Sequence, residues 1–76
     1  VSEDARKAHQ ARVEAEKCLR RAHSNLTSAI DSAENDKHSS ALEDASWALQ
    51  YLGAAVMHLG NAIYHQTKWE CAPYGD

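Results

Sequence analysis

SALEDASWALQYLGAAVMHLGNAIYHQT, residues 40–67, is the stretch that decides the fold. Leu42, Leu49, Val56 and Ile63 recur every seven residues, and Ala45, Leu52 and Leu59 fill the complementary row. That spacing predicts a long helix whose two apolar rows are the core rows of a coiled coil. Ala41, Ala48, Ala55 and Ala62 flank them on one side, and Ser46, Gly53, Gly60 and Thr67 on the other. Four adjacent rows are therefore apolar or small. A glycine inside a helix costs about 1 kcal/mol relative to alanine. Two of them one heptad apart suggest that another backbone comes close.

Working outward, the first half carries the same period. Ala8, Ala15, Ala22 and Ala29 form one heptad row, and Ala5, Arg12, Leu19, Leu26 and Ala33 run beside it. Ser2 is placed to cap this helix, with Glu3 and Asp4 favourable against its dipole. The polar stretch from Asp31 to Ser40 contains no glycine or proline, so Asn, Asp and Ser must set the turn. Ser40 with Glu43 reads as a capping box for the second helix. Pro73 and Gly75 end the pattern and predict a loose tail over residues 70–76.

The expected fold is all-α: a hairpin over residues 1–69. Helix 1 spans about 2–33, the turn about 34–39 and helix 2 about 40–69. Each helix would be about 45 Å long at 1.5 Å per residue. One partner helix cannot cover the four-row face of helix 2. The expected assembly is a four-helix bundle or a larger helical oligomer, most simply a homodimer.

Composition narrows the function. The chain has 76 residues, a net charge of −3, one proline and no phenylalanine. At this length a single chain buries only about 60% of its unfolded surface and is marginal alone. The acidic balance argues against a nucleic-acid partner, and Lys17, Arg20 and Arg21 are interleaved with Glu14 and Glu16. Residues 45–67 lack Asp, Glu, Lys and Arg, but Gln50, His58, Asn61, His65 and Gln66 interrupt them. No membrane span is expected. Without a basic-then-apolar leader, the expected location is the cytoplasm.

Chemistry-bearing residues are few. His9, Glu16 and His23 form one heptad stripe, and Tyr51, His58 and His65 form another. With the turn centred near residue 37, His9 would face His65 and Glu16 would face His58. A turn nearer 35 slides that register by about one helical turn. His9, Glu16, His58 and His65 are the candidates for a metal set, but their spacing specifies no metal, and no cofactor is expected. Cys18 and Cys71 are too far apart along the hairpin for a disulfide. No phosphate loop, Cys-x-x-Cys or nucleophile–base spacing is present, so no catalytic residues and no enzyme activity are expected.

What remains is surface. Seven of the eight Lys and Arg fall at or before Lys37, which makes helix 1 the solvent side and helix 2 the partner side. The expected oligomer interface is Leu42, Leu49, Leu52, Gly53, Ala55, Val56, Leu59, Gly60 and Ile63. Trp47, Tyr51, Met57 and Tyr64, aromatic or sulfur-bearing among uncharged neighbours, are the expected partner-binding surface. The expected function is a small helical protein that self-associates through helix 2 and binds or regulates another protein. A metal- or ligand-binding bundle and a structural assembly subunit are the alternatives.

Overall fold

The computed structural model describes residues 2–71, and the expected tail beyond Cys71 lies outside them. Two helices, α1 (Glu3–Glu34) and α2 (His38–Cys71), pack against each other as an antiparallel hairpin. Ser2 caps α1, its hydroxyl oxygen accepting from the Ala5 backbone N–H at 3.0 Å. Glu70 and Cys71, expected in the tail, are the last residues of α2. Neither helix is apolar enough over a bilayer's length to cross a membrane, among the described residues.

The seam is not where the leucine rows place it. Ala8, Ala11, Ala15, Ala22, Ala48, Ala55 and Ala62 are the buried apolar residues, each 5% exposed or less. Leu42, Leu49, Val56 and Ile63 are 66–73% exposed. The alanine row drawn as a flank of α2 therefore makes the contact within the chain, and the row drawn as its core faces outward. The cause is steric. Alanine carries only a methyl, so two alanine rows let helix backbones close up at low conformational cost. Ala8 with Ala62, Ala15 with Ala55, and Ala22 with Ala48 share one index sum, as facing residues of an antiparallel pair must.

Such a seam builds a thin body. The rod measures 58 × 14 × 12 Å, and its radius of gyration is 17.0 Å, against about 11 Å for a compact chain of this length. Among the described residues, no large side chain is fully buried. Burying a leucine contributes about 1.5–3 kcal/mol and a methyl-sized group about 0.8. The larger contribution is thus unrealised within one chain.

The turn is a Schellman motif. Lys37 N–H donates to the Ser32 carbonyl at 2.8 Å, and Asp36 N–H to the Ala33 carbonyl at 3.1 Å. Asp36 takes the left-handed position with φ 60°. Asp tolerates that region better than most residues, but glycine is the usual occupant. The motif brings the chain straight into α2, where the Lys37 carbonyl accepts from Ala41 N–H at 2.9 Å. Ser40 therefore lies inside the first turn of α2, and the expected capping box does not start it.

Two substitutions test this architecture. Ala55→Leu overpacks the seam and lowers unfolding free energy by roughly 1–3 kcal/mol or more. Asp36→Gly relieves the left-handed strain and raises it by about 0.5–1 kcal/mol after the glycine's own entropy cost. Urea unfolding followed by circular dichroism measures both. Equal stability of Ala55→Leu and wild type would contradict the alanine seam.

Candidate interaction surfaces

The alanine seam divides the hairpin into two flanks of different chemistry. The positions of Arg12 and Asp4 show which rows lie on each. Arg12 Nη1 donates to Gln66 Oε1 at 3.2 Å across the helices. Arg12 also borders a shallow groove with Leu59, Ile63 and Thr67. Leu19 and Leu26 follow Arg12 at heptad spacing, so they continue the same border and stand about two-fifths exposed. Leu42, Leu49, Val56 and Ile63 follow the seam alanines by one residue and turn to this side. One flank is thus apolar, with Gly53 and Gly60 exposed along its outer edge.

The opposite flank is polar and aromatic. His65 Nδ1 and Asp4 Oδ1 are hydrogen-bonded at 2.7 Å, with both side chains largely buried. Lys68 Nζ stands 3.9 Å from the same carboxylate oxygen. His58, Asn61 and His65 line a groove with Arg6, Lys7, Gln10 and Glu14. The Arg21 guanidinium stacks over Tyr51 at 5.6 Å, and Trp47 lies 6.5 Å from the same ring. Further along, Tyr64 meets the His65 ring edge-on at 5.0 Å and takes Lys68 Nζ at 5.4 Å.

Of the expected partner-binding residues, Trp47 and Tyr51 stand on this flank, and Met57 and Tyr64 lie further round, on the back of α2. The Trp47–Tyr51 and Tyr64–His65 pairs are about 20 Å apart at helical rise. Met57, 76% exposed, lies between them. Of the expected oligomer-interface residues, Ala55 goes to the seam within the chain, Leu52 is half-buried, and the other seven are exposed.

The facing ladder of histidines does not form. His65 takes Asp4 as its partner, and Glu16 pairs with Arg20 on its own helix at 2.7 Å. The stripe His9–Glu16–His23 follows the seam alanines by one residue and so stands on the Arg12 flank. The stripe Tyr51–His58–His65 stands on the Asp4 flank. Placing the seam on alanine rather than leucine separates the two. Among the described residues, no three His, Cys, Asp or Glu side chains converge to hold a metal. Cys18 is a free thiol, half-buried beside the seam.

Asp4 is the residue the sequence reading undervalued. It sits one heptad before Ala11 in a row that flanks the seam, so its carboxylate is drawn in rather than left to solvent. Glu3, beside it, stays exposed. Its hydrogen bond with Arg6, and then the Arg6 charge, hold its carboxyl below the usual range. The chain matches no known protein family, no curated protein and no solved structure.

Asp4–His65 is measurable by a double-mutant cycle with Asp4→Ala and His65→Ala. The expected coupling is about 1–2 kcal/mol, as for a sheltered hydrogen bond to a charged group. A coupling near zero would mean that the contact does not hold in solution. Glu3→Gln gives the pH test. A carboxyl whose folded pKa is depressed contributes stability above its unfolded pKa and loses it as pH falls through the folded value. The melting difference between wild type and Glu3→Gln should therefore close in acid and shrink in high salt.

Proposed function

We propose that this chain is a small non-enzymatic helical protein that self-associates through α2 and binds or regulates a partner protein. The observation that carries the reading is the row Leu42, Leu49, Val56 and Ile63, left outside a hairpin whose own core is alanine. Soluble chains rarely keep a continuous apolar face of this length in water, and such faces mark sites of protein contact. Covering it with other helices gives a four-helix bundle or a larger assembly.

The partner surface is Trp47, Tyr51, Met57 and Tyr64. Tyrosine and tryptophan supply large contact area with little entropy to lose, and Arg21 and Lys68 already hold two of the rings. Trp47 and Tyr51 lie on the flank opposite the leucine row, so a partner there leaves that row free for assembly, while Met57 and Tyr64 border the Gly53–Gly60 row. The metal-binding alternative has less support, because His9 and Glu16 stand on one flank and His58 and His65 on the other.

Light scattering at micromolar concentration tests the first half. The expected mass is at least twice 8.4 kDa. Leu49→Glu with Val56→Glu should return it to a monomer with reduced helicity. A wild-type monomer of full helicity would overturn the reading. Trp47→Ala with Tyr64→Ala should leave the mass unchanged while removing captured partners from a native lysate.

A further inference from the structure

We propose that the apolar flank holds a second copy of this chain, antiparallel, about a two-fold axis that crosses α2 beside Gly53. The inference rests on the self-association proposed above and adds its partner and geometry. A two-fold interface must be complementary to itself. Two rows of α2 meet that condition about centres only half a residue apart. Reversal about Leu52–Gly53 sets Leu42 opposite Ile63 and Leu49 opposite Val56. Reversal about Gly53 itself, half a residue or about 0.75 Å further on, sets Ser39 opposite Thr67, Ser46 opposite Gly60 and Gly53 opposite itself. The leucine row and the small row thus each map onto themselves.

The glycines supply the second observation. A Cβ built on Gly53 or Gly60 meets nothing within 4 Å, so the hairpin gives no reason for either. Both weaken an exposed helix. A neighbouring backbone crossing beside them would give that reason, and the axis brings Gly53 to Gly53 and Gly60 to Ser46.

Area and charge agree. The chain exposes 5566 Å², whereas a compact monomer of 8.4 kDa exposes about 4,600 Å². The excess of roughly 950 Å² is close to the roughly 800 Å² that each partner buries in a standard dimer. Residues 28–47 hold Asp31, Glu34, Asp36, Glu43 and Asp44 against Lys37, a net −4, which leaves +1 for the rest of a chain of net −3. A parallel pair would set the two acidic turn ends together. At helix spacings of about 8–10 Å that repulsion is only partly screened. The antiparallel pair sets them at opposite ends.

Spin labels at a single cysteine test the arrangement. His38→Cys, in a chain with Cys18→Ala and Cys71→Ser, places the label on a well-exposed residue 15 positions from the axis. Pulsed electron resonance should give a distance of about 45 Å along the paired helices. A distance of about 10–20 Å would mean a parallel pair and overturn this inference while leaving self-association standing. Light scattering on the same sample separates the two claims, since a monomer would overturn both. In the same cysteine-free background, Gly53→Cys should cross-link to itself on mild oxidation. Gly60→Cys should cross-link to Ser46→Cys and not to itself. Self-linking of Gly60→Cys would again reject the antiparallel axis.

Discussion

The apolar side chains buried among residues 2–71 are all alanines, and their size governs how near α1 and α2 can lie. A methyl fills little space, so each helix presents a nearly flat stripe to the other. Leucine at the same positions would push the helices apart, and the row Leu42, Leu49, Val56 and Ile63 just outside them is left mostly exposed. The thin rod, the exposed leucine row and the division into two flanks all follow from this one contact. Ala8, Ala15 and Ala22 on α1 and Ala48, Ala55 and Ala62 on α2 keep the register in three layers over two heptads.

That register also decides which polar groups meet. With the alanines in the seam, Asp4 and His65 fall on one side of it and Arg12 and Gln66 on the other. The Asp4 pair is sheltered, while Arg12 and Gln66 meet near the surface. Tyr51 takes a stacked Arg21, so a ring that would otherwise stand free in water is held in one orientation. Polar contacts between the helices thus stiffen the aromatic flank, whereas on the leucine flank the mid-length pair Glu16–Arg20 stays within α1. The two sides of α2 are built differently, as two surfaces with different tasks would be.

The helical hairpin was legible because heptad spacing survives in every row of both halves. Which row makes the seam was not legible. Leu42–Leu49–Val56–Ile63 and Ala41–Ala48–Ala55–Ala62 are neighbours with the same period, and periodicity does not distinguish a core from an external face. Residue size favours leucine as a core, but only where enough helices gather to surround it. The histidine ladder failed for the same reason, since its register was drawn from the wrong seam. Asp4 was read as a favourable charge on the α1 dipole, and its second role depends on His65, 61 residues away. What escaped at the turn was its Schellman form, because Asp36 does in the left-handed position what glycine usually does, and the composition of residues 31–40 carries no glycine to mark it.

Under the proposed self-association, folding and assembly would be linked. Helix propensity and an alanine seam draw the hairpin, but long helices in water draw most of their stability from a packed apolar face. Here that face is on the outside of α2. A neighbour that covers Leu42, Leu49, Val56 and Ile63 would provide the burial that one chain lacks, and would rigidify the helix that also displays Trp47, Tyr51, Met57 and Tyr64. Because both surfaces belong to α2, ordering one helps to order the other. A partner that binds those four residues would then bind an assembled helix more tightly than a lone one, and by linkage would itself favour assembly.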